Sequence, residues 1–398
     1  MFRQRAVHLA VIVCAAMIVA APGPLPATGF LDQFQVFFGN LHAHTTLSDG
    51  SGAPVNAFSM ARNTAKLDFL AVTEHNHSQA MRPKEPAVFG AGIANQHSLY
   101  SKLTTAANTA DVDDTFVALF GQEFSTISSG NHMNVIGASK VIDENDVESG
   151  DFKELYQTFL PGDSGVRFIQ MNHPWENTEA PKKNYGLAQF GNSFTKLRNA
   201  SKPWLRTIEV INGPGLKEGT NMPASVKGES AYLKYLTRGF QIAPTADQDN
   251  HRRNWGTATP ARTGVLATRL TRQTILNAID RLRVYASTDN SLEVWFGVNG
   301  AVMGSEVTSS SRDLNVVWRI RDANEASATY RVSAVVGRPT VADEKTTTKL
   351  ADQSGNGVGS ATFHTTFQKL FLYLKIVQQS SSNQNDTVIT SPVWIEIN

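Results

Sequence analysis

Cysteine is almost missing from this sequence: Cys14 is the one such residue in 398. It falls within Met1–Ala27, where Arg3 and Arg5 precede the apolar run Leu9–Ala21 and a stretch rich in proline and small residues follows, the pattern of a secretory signal. Once that segment is removed no disulfide can form. Val13 stands where a lipoprotein signal needs a small residue, so lipid anchoring is not expected. Long hydrophobic runs are also scarce. Leu9–Ala21 is too short to span a bilayer, and no later run is long enough. The mature chain is therefore expected to be secreted or periplasmic, with no membrane attachment. An excess of either charge is missing too: 36 Lys and Arg oppose 35 Asp and Glu, and losing Arg3 and Arg5 takes the formal charge from +1 to −1. That balance argues against a nucleic-acid coat or a membrane-surface protein and leaves a small-molecule substrate as the expected partner. The sequence carries no sign of oligomeric state.

With 41% hydrophobic and 18% charged residues, the chain is long enough for two domains. From Phe34 to about Asp289 strands and helices alternate. Strands are expected at Phe34–His42, Leu67–Thr73, Phe116–Gly121, Met133–Ala138, Val166–Met171, Thr207–Ile211 and Gln241–Thr245. Helices are expected at Val55–Lys66, Asn95–Asn108, Asp151–Leu160, Glu229–Arg238 and Arg272–Arg283. This alternation predicts an α/β domain over residues 34–289 with a mainly parallel sheet. Beyond Asn290 only short strands punctuated by Gly, Ser and Asn are expected, with Ser380–Asp386 a polar loop. A small all-β, sandwich-like C-terminal domain over residues 290–398 is the natural reading.

Chemistry-bearing residues gather at the edges of the apolar runs. His42 and His44 stand two apart after Val36–Leu41, which places both imidazoles on one face, and Asp49 follows. Leu67–Val72 leads to His75, Phe116–Phe120 to Glu123, and Phe168–Met171 to His173. The last run leads to Asp249 and His251, again two apart. His132 begins its strand and would join from a loop. The C-terminal ends of parallel strands share one edge, so these groups can converge. A lone histidine at a strand end is more often a hydrogen-bonded structural residue. Here, however, six of the eight histidines between residues 40 and 260 share the pattern, and His77 and His97 are left as loop residues. His364 is expected at an exposed strand position. Nine groups exceed what one tetrahedral ion needs, so two or three divalent ions sharing carboxylates fit the count. Mixed imidazole and carboxylate donors suit zinc, manganese or iron.

The ordered set HAHTTLSDG, LAVTEHN, GQEFS with His132, NHP and DQDNH resembles the polymerase and histidinol phosphatase (PHP) family. Glu74 stands where that family usually has Asp, and Gln248 where it usually has Ser. The resemblance covers about Phe37–Thr288. It implies a distorted (β/α)7 barrel with a trinuclear site and metal-dependent hydrolysis, usually of phosphate esters. The signal segment, the FFGNLH start and the TSPVWI ending look like a secreted branch that includes carbamate hydrolases of the carbaryl-hydrolase type.

The expected activity is hydrolysis of a phosphomonoester by a metal-bridging hydroxide, with a carbamate, carboxylic ester or amide as the alternative substrate. A non-catalytic metal- or ligand-binding protein is the third reading. Glu123 is the candidate bridging carboxylate, and Asp49, His75 and Asp249 are candidates for proton handling. Arg252 and Arg253 could grip phosphate, and Trp175 could line the pocket.

Overall fold

The computed structural model describes residues 28–76, 97–124, 131–142, 146–148, 150–175, 184–379 and 385–398. The expected signal segment, His77 and most of the Ser380–Asp386 loop lie outside the described residues.

Nine strands build the first part: β1 (Gln35–Asn40), β2 (Phe69–His75), β3 (Val117–Phe124), β4 (Met133–Ile136), β5 (Phe168–Met171), β6 (Leu205–Ile211), β7 (Ala243–Ala246), β8 (Arg262–Ala267) and β9 (Val284–Ser287). β1 to β7 are hydrogen-bonded in chain order, and β8 and β9 extend the sheet beyond β1. The pairs β1–β2, β2–β3, β5–β6 and β6–β7 are parallel. β4 runs antiparallel to both neighbours, an exception within a sheet expected to be mainly parallel. β8 and β9 were not expected; both are short, and Gly264 breaks the apolar run of β8 without breaking its pairing. The β1–β7 part of the sheet curls until its first and last strands approach, because Ala43 beyond β1 bridges Asn250 beyond β7. The His44 N–H donates to the Asn250 carbonyl (2.8 Å), and the Asp249 N–H to the His42 carbonyl (3.1 Å).

Helices cover the outer side with their apolar faces. Pro54–Asn63 starts on a proline, whose missing N–H costs nothing at that position. Arg272–Asp280 is capped by Thr271, whose hydroxyl accepts from the Thr274 N–H, and buries Ile275, Leu276 and Ile279 as its spacing predicts. The helix expected at Asp151–Leu160 forms with a wider central turn over Leu155–Phe159. Phe194–Ser201 is an additional helix. Among the described residues no helix is long and apolar enough to cross a membrane.

Ten more strands follow: β10 (Leu292–Val298), β11 (Ala301–Val302), β12 (Glu306–Ser309), β13 (Asp313–Asp322), β14 (Thr329–Gly337), β15 (Lys345–Ser354), β16 (Gly357–His364), β17 (Lys369–Gln379), β18 (Asp386–Thr390) and β19 (Val393–Ile397). β11, β10, β13 and β16 form a separate sheet. β18 instead pairs with β9, so β12, β19, β17 and β18 continue the first sheet. An apolar cluster including Phe296, Trp318, Tyr330 and Leu372 fills the space between the two sheets and takes in Leu31, Val36 and Tyr285 from the α/β part. At about 1.5–3 kcal/mol for each large side chain buried, this shared cluster ties the two regions into one packed body.

Candidate metal centre

The nine side chains expected from sequence converge at the C-terminal edge of β1–β7. His42 and His44 sit on the extended segment just past β1. His75 ends β2, Glu123 is the penultimate residue of β3, and His173 follows β5. Asp249 and His251 follow β7. His132 precedes β4, and because β4 is antiparallel, its beginning lies at the same edge as the ends of its neighbours. Asp249 and His173 hold left-handed backbone conformations (φ 50° and 28°) that side-chain-bearing residues rarely adopt. Gly50 is required nearby, since a Cβ there would come within 2.6 Å of the His44 and Thr45 backbone.

Glu123 occupies the middle. Its Oε1 lies 3.3 Å from His42 Nε2, 3.1 Å from His132 Nδ1 and 3.4 Å from His173 Nε2. Its Oε2 lies 3.3 Å from His44 Nε2 and 3.0 Å from His75 Nδ1. Asp249 Oδ1 faces His42 Nε2 (3.2 Å) and His44 Nε2 (3.1 Å), while Asp49 Oδ1 faces His251 Nε2 at 3.2 Å. Burial pulls the His42 imidazole down, but Asp249, Glu123 and Glu209 outweigh it and hold the ring well above its ordinary value. Burial is likewise opposed at His173, which is raised to about 9 by Glu123, Glu209 and Asp249. Burial pushes the Glu123 and Asp249 carboxyls up, yet the surrounding imidazoles hold both below the usual carboxylate range.

Residues outside the nine hold them in place. Glu209, buried within β6, accepts from His42 Nδ1 (2.8 Å), the His173 N–H and Asn212 Nδ2 (2.8 Å). Glu74 accepts from the Thr45 N–H (3.0 Å) and from the hydroxyls of Thr45 and Ser48, pinning the loop that carries Asp49. Asn172 Nδ2 donates to Glu123 (2.8 Å), and Trp255 Nε1 to the His44 carbonyl (3.0 Å). Sequence reasoning missed Glu209, although an acid inside the apolar run Leu205–Ile211 was a signal. It registered Glu74 only as a departure from the PHP pattern.

The other candidates stand apart. Arg252 is half-buried, its Nε donating to the Leu216 carbonyl (3.0 Å), and exposed Arg253 packs over Gly52. Both line a cleft of about 400 Å³ whose walls include Ser51 and Thr220 but none of the nine. Trp175 lays its ring against Gly228.

The donor set fits divalent metal ions. His44, Asp49, His75 and His251 offer atoms within 4.8 Å of one another, as do His42, His44, Glu123 and Asp249, and as do His75, Glu123 and His132. In its neutral form His42, donating from Nδ1 to Glu209, keeps the Nε2 lone pair for the centre. His251, donating from Nδ1 to the Asp249 carbonyl (2.8 Å), does the same.

No family model and no curated protein matches the chain. Among solved structures it is similar to a two-domain protein from Bacteroides vulgatus described as containing a predicted PHP-like metal-dependent phosphoesterase. That likeness has 16% identity over 91% of this chain and 96% of the other, with a TM-score of 0.47. A second likeness, to the C-terminal domain of Wzt, has 9% identity over 29% of this chain and 73% of that one, with a TM-score of 0.18. At these values neither likeness bears on function, which is argued from the side chains themselves.

Proposed function

We propose that this chain is a secreted multinuclear metal-dependent hydrolase of the PHP type, acting on phosphate esters. The observation that carries the proposal is the convergence of six imidazoles and three carboxylates around Glu123 at one sheet edge. The residues that would hold two or three ions are His42, His44, Asp49, His75, Glu123, His132, His173, Asp249 and His251. Zinc, manganese or iron suits this mixture of donors. When bound, such ions supply Lewis acidity and make water acidic enough to ionise near neutral pH. Glu209 fixes the His42 ring, and Asp49, His75 and Asp249 are placed to take or return protons at the centre. Curling of β1–β7 supports a distorted (β/α)7 barrel over residues 34–289, and the facing sheets support a sandwich-like unit over residues 290–398.

A second reading keeps the site and changes the bond to a carbamate, carboxylic ester or amide. Its support is that Arg252 and Arg253 lie in an adjoining cleft and not among the nine groups, whereas phosphate favours fixed positive charge beside the metals. Elemental analysis of the purified protein, paired with turnover of both ester classes, tests the proposal. Two or three equivalents of metal with phosphate-ester turnover abolished by chelation support the first reading. Turnover confined to carbonyl substrates moves the protein to the second, and a metal-free, inactive protein overturns both.

A further inference from the structure

The cleft that adjoins the metal centre is walled by segments that also carry its donors. Ser51 lines it two residues after Asp49, and Arg252, Arg253 and Asn254 follow His251 directly. The remaining wall, with Glu218 and Thr220, is the loop after β6, and its Gly215 is locked against Asp249. The Gly215 N–H donates to the Gln248 carbonyl (3.0 Å), its carbonyl accepts from the His251 N–H (3.2 Å), and a Cβ there would lie 3.7 Å from Asp249 Oδ2. The centre is most open on this side. Asp49 and Asp249 keep 17% and 18% of their side chains exposed, more than any of the other seven donors.

At the β9–β10 junction the fold itself satisfies a group of acids. Asp289 accepts from the N–H groups of Ser291 (2.6 Å) and Leu292 (2.7 Å), Asp322 from the Ser291 hydroxyl (2.9 Å) and Gln378 Nε2 (2.8 Å), and Asp386 from the Thr288 hydroxyl (2.8 Å). The arginines of the cleft are not satisfied in this way. Arg252 spends only its Nε, on the Leu216 carbonyl, and its two terminal nitrogens make no hydrogen bond among the described residues. The Arg253 guanidinium makes neither a hydrogen bond nor an ion pair among the described residues. Packing holds it instead: a Cβ at Gly52 would come within 3.2 Å of Arg253 Nε and 2.9 Å of the buried Trp255 ring, so only glycine lets the arginine lie there. Glu218 is the one acid among the lining residues. Its side chain is 85% exposed and stands 3.9 Å from Arg252 Nε, too loose and too well solvated to cancel two guanidiniums.

We propose that this cleft holds a second anionic group of the substrate, a carboxylate or phosphate carried on the part of the molecule away from the bond that is cleaved, and that Arg252 and Arg253 select it. Guanidiniums present planar forks of N–H donors that match the oxygens of either group. A volume of about 400 Å³ takes such a group together with part of the skeleton that joins it to the ester. The inference rests on the hydrolase reading and holds for either bond, because the second anion is bound outside the nine donors.

The test compares esters of phenol, para-hydroxybenzoate and para-hydroxyphenylpropanoate, each as the phosphate and as the acetate, on the full chain with its metals retained. The carboxylate-bearing esters are expected to exceed the phenyl ester in kcat/KM by about tenfold or more, through KM. Arg252→Ala and Arg253→Ala should each erase most of that preference, and Glu218→Gln should raise it about twofold to fivefold. Ligand-observed nuclear magnetic resonance reads the same site without turnover. There para-hydroxybenzoate and para-hydroxyphenylphosphonate should bind, the neutral para-hydroxybenzamide should not, Arg253→Ala should abolish the binding, and the tighter of the two anions identifies the group. Equal turnover of charged and neutral esters, or a preference that survives in both arginine variants, overturns the proposal and leaves the hydrolase reading standing. Anion binding that requires Arg253, in a protein that hydrolyses no ester, supports the anion site and overturns the hydrolase reading. Absence of both binding and turnover overturns the two together. Should Arg252→Ala fail to fold, Arg253→Ala, which alters an exposed side chain, decides.

Discussion

The strand-end centre and the β9–β10 junction both gather acids in poorly solvated places, yet they resolve the repulsion in opposite ways. Around Glu123 the carboxylates face imidazoles, which hold Glu123 below its usual range while His42 is itself held above its own. Around Asp322 the partners are hydroxyls and amides, which can donate hydrogen bonds but cannot supply charge. The first arrangement offers nitrogen and oxygen donors together, as mixed-ligand metal sites do, and the second is held by hydrogen bonds within the fold. Two clusters with similar acid counts therefore differ in what faces their carboxylates.

That contrast can be broken most strongly at its centre. Glu123→Gln removes the carboxylate that touches five imidazoles, and is expected to strip the strand-end metals and lower kcat/KM by about a thousandfold or more. Elemental analysis and turnover on the same sample check this. Glu209→Gln is milder. It replaces the carboxylate that orients His42 with a neutral acceptor, and is expected to weaken transition-metal affinity by about ten- to a hundredfold, measured by competition with a chromophoric chelator.

The gentlest test sharpens the comparison through pH. The imidazoles of His42, His44, His173 and His251 are raised in the metal-free protein, so protons compete with metal into the alkaline range, up to about pH 9 at His173. Transition-metal affinity should therefore climb as pH rises from 6 to 9, with measurable proton release on binding. For the metal-free fold the sign reverses. A raised histidine contributes stability below its unfolded value of about 6.5, and that contribution is lost as pH rises through the folded value. Parallel titrations at several pH values distinguish the two profiles.

Much of the strand-end centre was legible in the sequence because its residues sit where apolar runs stop, and β-strand alternation fixes which side chains share a face. Strand direction is not written in such a pattern. Hence His132 read as a residue at the wrong end of its strand, until antiparallel β4 placed it on the right edge. Glu209 was illegible for a different reason: an acid buried among Ile208, Val210 and Ile211 reads as an interruption until its partner, His42, is brought from 167 positions away. Strand β15 is not legible in the sequence, because KTTTKLADQS is polar on both faces except at Leu350 and Ala351, so pairing with β14 and not burial holds it in place. The junction acids lay on separate strands and turns, and only register placed Asp386 beside Gln378.

The bridge between Ala43 and Asn250 has a kinetic side. The residues on either side of it, His42 with His44 and Asp249 with His251, belong to opposite ends of the curled sheet. During synthesis the amino-terminal half of the centre must wait for a segment roughly two hundred residues later, and closing a loop of that length is entropically costly and slow. An ion held between the two ends acts as a removable staple on that loop. Its loss to a chelator would free a tether that spans about two hundred residues and hasten unfolding, quite apart from any effect on catalysis.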